Sequence, residues 1–318
     1  MLKILQPETP RGADAGACPA HRMRMALLSS VAQLEGRHPC YSSTLEGHKK
    51  SGRLHLPVSP ACNIQCRFCH REFNRVDERP GVARKLIAPE EAPELVERAL
   101  QLCPAINVVG IAGPGDTLAT EHALRAFALV HEKFPRLLNC LSTNGLLLEE
   151  KAERLVEAGV STVTVTVNAV APPVLERICS WIVYQGKRLT GSAAAETLIA
   201  KQLAGIRRVS QLGAVVKVNT VLVPGINEAH IGEVARTVAQ AGASLINIIP
   251  LLPAHELAHF PPPDLAQIGD ARQAAADHLA VFSHCNRCRA DACGIPGETD
   301  YAPQLYGQRI AETTFSHG

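Results

Sequence analysis

A chain of 318 residues has room for one large α/β domain or two average ones, and 46% hydrophobic with 19% charged residues is too apolar for disorder. Lys plus Arg (32) nearly balances Asp plus Glu (30) with no block of one sign, which removes the electrostatic basis for binding nucleic acid. No uncharged apolar run approaches the roughly 18 residues of a membrane span, and Pro7, Glu8 and Arg11 interrupt any signal-peptide core, so a soluble cytoplasmic protein is expected.

Residues 1–53 show weak periodicity apart from a short helix candidate at 23–34, and they read as an N-terminal extension wrapping a core. From 54 onward, short β-branched runs alternate with helical patterns, the signature of βα units and a parallel sheet. Strands are expected at 54–59, 106–111, 137–142, 162–167, 215–223 and 245–251. Helices are expected at 89–103, 122–133, 149–158, 193–212, 228–241 and 265–279, the second marked by Leu124, Phe127, Ala128 and Val130 at helical spacing.

Parallel strands covered on both sides are usually apolar on both faces, but several of these alternate. Val163, Val165 and Val167 oppose Thr164, Thr166 and Asn168; Val216 and Val218 oppose Lys217 and Asn219; Leu54 and Leu56 oppose His55; and Cys140, Ser142 and Asn144 share a face. Valines under outer helices and polar groups lining a lumen describe an open, six-unit partial (β/α)6 barrel. A closed eight-unit barrel fills its interior with side chains, so a polar lumen reads as a site. The barrel then spans 54–252, and 253–318 is a C-terminal extension with a Pro-rich loop, one helix and a cysteine-bearing tail.

Eleven cysteines are many for a reducing compartment, and their clustering points to metal or redox chemistry. The strongest motif is Cys62-Asn63-Ile64-Gln65-Cys66-Arg67-Phe68-Cys69, just after the first strand. Three thiolates in one tight loop can hold three irons of a 4Fe-4S cubane and leave the fourth open. S-adenosylmethionine (SAM) can chelate that iron and be cleaved by one electron to a 5′-deoxyadenosyl radical. A structural zinc site competes, but it wants four ligands at short spacings, and His70 directly follows Cys69. Spacing, position and the six βα units make this segment resemble the radical SAM superfamily.

Ala112-Gly113-Pro114-Gly115-Asp116 ends the second strand, where glycines let backbone approach a ligand; alone, such a segment is more often only a turn. In the superfamily this place binds the methionine amino group of SAM. Cys285-x2-Cys288 near the end could be half a zinc ribbon, a redox pair or ligands of a second cluster. The absence of a second C-x2-C favours the cluster.

Together the motifs resemble the NifB family of radical SAM proteins, which build the carbide-containing iron–sulfur core of the nitrogenase cofactor. The matching features are His38-Pro39-Cys40, the Cys62/Cys66/Cys69 loop, Arg79-Pro80-Gly81, 112–116, Ser142-Thr143-Asn144-Gly145, Thr164-x-Thr166-x-Asn168, Pro224-Gly225-Ile226-Asn227 and Cys285-x2-Cys288-Arg289-Ala290-Asp291-Ala292-x-Gly294. The resemblance implies a SAM-binding 4Fe-4S cluster, SAM itself, and two further 4Fe-4S clusters that are substrates. One SAM methylates a cluster sulfide, and a second gives the radical that abstracts hydrogen from that methyl, so that the two clusters fuse around a carbon.

By position, Cys40, His55 and Cys140 resemble ligands of one precursor cluster, and Cys285 and Cys288 ligands of the other, with Cys18 or Cys293 available as a third. A neutral imidazole would be a weaker, removable ligand. Gly113, Gly115, Asp116, Ser142 and Asn144, with Thr166, Asn168, Lys217 and Asn219, are expected to bind the cofactor. Where the family has Glu-x-Arg-Pro-Gly this chain has Asp77 followed by Glu78, and either carboxylate could take the catalytic role. Cys103 and Cys179 are read as small buried residues on or beside helices. Implied partners are a cluster donor protein, a carrier or scaffold that accepts the product, and an electron donor, with no nucleic acid and no membrane. A radical SAM enzyme that modifies a peptide or small molecule with an auxiliary cluster is the alternative. It calls for a substrate-docking domain, and no N-terminal strand pattern suggests one. A cluster carrier or zinc-stabilised scaffold would need no SAM barrel, against which the 112–116 turn speaks.

Overall fold

The computed structural model describes residues 31–42, 44–70, 80–285 and 288–307. Eleven strands lie in these segments: β1 (Gly52–His55), β2 (Ile64–Cys66), β3 (Ile106–Ile111), β4 (Leu138–Thr143), β5 (Val160–Thr166), β6 (Cys179–Tyr184), β7 (Lys187–Thr190), β8 (Val215–Leu222), β9 (Leu245–Pro250), β10 (Ala280–Val281) and β11 (Cys293–Gly294). The main sheet has the order β10-β9-β8-β5-β4-β3-β1-β11. Its six central strands are the six expected from alternation, all parallel. β10 extends one edge in parallel and β11 pairs antiparallel with β1 at the other. Among the described residues these two edges do not meet, giving an open α/β partial barrel.

The apolar row of each strand meets the helices. Leu54, Val163, Val165, Val216 and Val218 are buried in the main core with residues of the surrounding helices. The helix His122–Lys133 turns Ala123, Leu124, Ala126, Phe127 and Val130 inward, while His131 and Lys133 complement the partial negative charge of its last turn. Burying a side chain the size of Phe127 contributes about 1.5–3 kcal/mol. β1 is shorter than expected because Pro57 brings no N–H to the ladder, and only an isolated bridge, Ser59 to Pro114, follows it.

A second sheet, β2-β6-β7, is absent from the sequence reading. β6 and β7 form a hairpin around Gln185 (φ 51°) and Gly186 (φ 72°), a two-residue turn with both residues left-handed. Glutamine there gives no sequence signal of the kind Asn-Gly would.

Residues 31–42 pack beneath the barrel floor. Tyr41 is buried with Leu34, Val215 and Leu245 at the starts of β8 and β9, and its hydroxyl donates to Val163 O at 3.2 Å. Among the described residues no helix is long and apolar enough to cross a membrane.

Candidate functional site

The cysteine loop is held from several sides. Gln65 is buried, and its Nε2 donates to Cys66 O (2.9 Å) and Cys69 O (3.2 Å), while Cys69 N–H donates to Cys66 O (2.9 Å). From β3's end, Gly115 N–H donates to Ser59 O and Asp116 N–H to Ala61 O, both at 2.8 Å. A Cβ on Gly115 would fall 2.1 Å from Ala61 O, so only glycine permits this clamp.

A cavity of about 590 Å³ opens beside the loop at the C-terminal ends of the strands. Cys66, Cys69, Gly115, Asp116, Ser142, Asn144, Thr166, Asn168 and Asn219 line it, together with apolar Ile64, Phe68, Leu198 and Val221. Cys62 is buried just behind, 4.0 Å from Asn144 Nδ2. Asp77 and Glu78 lie outside the described residues, although Pro80 and Gly81 after them line the cavity. Gly113 is not among the lining residues; a Cβ on it would lie 3.4 Å from Ala290 Cβ in the C-terminal segment.

Asp116, expected to bind the cofactor, is a buried acceptor hub. Its carboxylate takes bonds from Thr143 Oγ1 (3.0 Å to each oxygen), Asn144 N–H (2.6 Å) and Leu118 N–H (2.9 Å). It thereby aims Asn144, whose Nδ2 donates to Asn63 Oδ1 at 2.7 Å. Gln202, missed by the sequence reading, donates to Asn144 O (2.7 Å) and Thr166 O (2.8 Å) and lines the cavity. A glutamine on the buried face of a helix was the available signal. Asn227 of the Pro-Gly-Ile-Asn motif ties two loops by donating to Asn168 O (2.9 Å) and Val221 O (2.8 Å).

Lys217 departs from the expected row. The register sets Asn219 beside Thr166 and Asn247, but Lys217 one layer lower beside Thr164 and Leu245. It does not line the cavity; its ammonium donates to Cys40 O at 3.2 Å and lies over the rings of Tyr41 (5.1 Å) and Phe282 (5.0 Å).

The other donors lie below the cavity as well, one row further down in register. His55, Gly110, Cys140 and Thr162 are in register across β1, β3, β4 and β5. His55 Nδ1 donates to Arg289 O at 2.8 Å, since a carbonyl only accepts, leaving the Nε2 lone pair available. Burial above all, with the Arg53 charge, lowers its pKa to about 4, so the ring is neutral near pH 7. Burial pushes the Cys40 thiol up to about 12; Lys217 opposes this, and the neighbouring Cys288, Cys140 and Cys285 add to it. Burial also raises the Cys140 thiol, opposed by a Thr162 hydrogen bond and then by the Lys217 charge. His38 Nδ1 accepts from Cys40 N–H at 3.1 Å, and its buried Nε2 has no hydrogen-bond partner among the described residues.

The C-terminal segment is pinned beneath by ion pairs. Asp291 accepts from Arg84 Nη1 (3.0 Å), Arg84 N–H (2.7 Å) and Arg289 Nε (2.8 Å), all buried. Cys285 is exposed and Cys288 half-buried, with Arg53 Nη2 donating to Cys288 Sγ at 3.2 Å. Cys293 pairs with Leu54 rather than His55, so it sits in the apolar core, where burial, with nearby Cys103, raises its thiol to about 12. That placement removes it from the lumen as a third ligand, and Cys18 lies outside the described residues. Cys179 is the small buried residue expected, packed in an apolar cluster just after the helix Pro172–Leu175; it also opens β6 opposite Cys66 and lines the upper cavity.

The upper donors suit a cubane with one open corner: three thiols in a braced turn, facing a cavity with polar rows and apolar walls. Among the described residues no three His, Cys, Asp or Glu converge on a single-ion site, a geometry that a cubane with one thiolate per iron does not require.

Residues 56–238 match the model of the Radical SAM superfamily. The solved structure of Streptococcus suis SuiB bound to S-adenosylmethionine superposes with a TM-score of 0.53, covering 83% of this chain and 53% of that one at 14% identity, a likeness of fold alone. Fold and motif together define a radical SAM enzyme. The FeMo cofactor biosynthesis protein NifB of Klebsiella pneumoniae is 43% identical over 281 residues, 86% of this chain and 60% of that protein. Its counterpart from Methanocaldococcus infernus is 38% identical over 290 residues, 91% of this chain and 95% of that protein. The chain belongs to the NifB family, spanning about three-fifths of the Klebsiella relative and nearly all of the archaeal one.

Proposed function

We propose that the chain acts in biosynthesis of the nitrogenase iron–molybdenum cofactor, fusing two 4Fe-4S substrates into one larger cluster with a SAM-derived carbide and an added sulfur. The observation that carries this reading is the stacking of two donor sets on one barrel interior. Cys62, Cys66 and Cys69 stand by the upper cavity, and Cys40, His55 and Cys140 gather below with Cys288.

Cys62, Cys66 and Cys69 would hold the SAM-binding cluster, which with SAM supplies a transferable methyl group and a 5′-deoxyadenosyl radical. Asn144, Thr166, Asn168 and Asn219 would orient SAM from the cavity wall, with Asp116 and Gln202 holding Asn144 in place. The apolar walls limit water around the reacting atoms. Cys40, His55 and Cys140 hold one substrate cluster, and Cys285 and Cys288 the other. His55 is the ligand most readily released when product leaves, because it departs as a neutral base. Asp77 or Glu78 serves the acidic role of the family motif. Segments 1–53 and 253–318 then act as cluster-binding extensions of the barrel at 54–252. A cluster donor, an electron donor and an accepting carrier or scaffold complete the pathway in the cytoplasm.

Anaerobic reconstitution followed by iron, sulfide and zinc analysis tests this reading. About three 4Fe-4S clusters per chain are expected, with iron far above zinc. Stoichiometric zinc without thiolate-to-iron absorption would overturn it.

A further inference from the structure

We propose that Lys217 and Arg53 form a cationic seat for the substrate clusters, positioning residues that offset cluster charge and raise the clusters' reduction potentials. The inference rests on the lower layer being the cluster-binding layer.

Both cations are buried, Lys217 at 4% exposure and Arg53 at 9%. Among the described residues neither is paired with a carboxylate. Lys217 meets one carbonyl, Cys40 O, and two ring faces. Arg53 gives Nη1 to Gly294 O (2.6 Å) and Nη2 to Cys288 Sγ (3.2 Å), while its Nε is buried without a hydrogen-bond partner among the described residues. Asp291, the nearby buried acid, is already taken by Arg84 and Arg289.

A buried charge is unfavourable unless something of opposite sign balances it. Two such cations beside cysteine thiols therefore favour an anionic occupant. Thiolate-ligated iron–sulfur clusters are anions, and every added electron increases their negative charge. Lys217 lies within electrostatic reach of Cys40 and Cys140, assigned to one cluster, and Arg53 bonds a sulfur assigned to the other. The seat thus addresses both substrates. A positive charge or a hydrogen bond at a ligand sulfur stabilises the reduced cluster more than the oxidised one.

The test uses the full chain with Cys62, Cys66 and Cys69 replaced by alanine, so that only the lower clusters give signals. Midpoint potentials are measured by electron paramagnetic resonance titration in Lys217→Met, Arg53→Gln and Lys217→Arg versions. The expected result is a negative shift for Lys217→Met and for Arg53→Gln, with Lys217→Arg close to the parent. Iron lost from Lys217→Met but retained by Lys217→Arg would equally support a role for charge. Unshifted potentials at full iron content, or equal iron loss in both Lys217 variants, would overturn the seat. A parent that takes up no iron–sulfur cluster would instead overturn the functional reading beneath it.

Discussion

The imidazole of His55 occupies the space that a side chain at position 110 would fill. A Cβ on Gly110 would stand 2.8 Å from His55 Cδ2 and 3.2 Å from Nε2. β1 and β3 place the two residues in register, and the Arg289 carbonyl secures the far side of the ring through Nδ1. An absent side chain on one strand therefore sets where the imidazole of another sits.

Gly110→Ala follows directly from this contact. The ring must move, and Nε2 loses its direction into the lumen. The expected variant folds, keeps the cluster of the upper loop, and loses iron from the lower layer. Iron per chain with electron paramagnetic resonance, with and without SAM, checks it; full iron content with a parent-like spectrum would count against His55 as a ligand.

Cys66→Ala removes one of only three thiolates in the upper loop. The variant should still bind iron through the lower donors yet form no 5′-deoxyadenosine. Chromatography of the anaerobic reaction with dithionite and SAM reads the outcome, and normal cleavage would mean the catalytic cluster lies elsewhere.

Asp116→Asn keeps shape but replaces an acceptor oxygen with an NH₂ group facing donors. At least one of Thr143 Oγ1, Asn144 N–H and Leu118 N–H loses its partner. An unsatisfied buried donor costs about 1–3 kcal/mol. A lower melting temperature is expected, together with weaker SAM binding through the misplaced Asn144, measured by thermal melts and equilibrium dialysis.

Cys293 gives a pH dependence with a definite sign. Its thiol is raised from 9.0 to about 12 by burial, so between those values the folded chain holds a proton that the unfolded chain has released. This contribution is fully present below pH 9 and declines as pH rises toward 12. Urea unfolding of the cluster-free protein at pH 8 and pH 10 should show the loss, and Cys293→Ala should reduce it without abolishing it, because Cys40, Cys140 and Cys179 are raised by burial in the same direction. At pH 8 iodoacetamide should modify exposed Cys285 well before Cys293.

The strands and their two faces were legible in the residues themselves. Val163 against Thr164 and Val216 against Lys217 report faces because a two-residue period puts one set under helices and the other in the lumen. The upper cysteine loop was equally legible, since its donors lie within one turn. The depth of a residue in the barrel was not, because it depends on how each strand is offset against its neighbours. Packing of the N-terminal residues under the strands sets Lys217 beside Cys40, and register turns Cys293 into the core by pairing it with Leu54. Outside the barrel, pairing of β6 with β2 brings Cys179 opposite Cys66, and the neighbouring β6–β7 hairpin has a Gln185 turn that carries no local signature. Local sequence determined which residues face inward, since that follows from alternation along one strand. Only packing between strands distant in the chain decided which of them meet, since register minimises the burial cost of all the strands together.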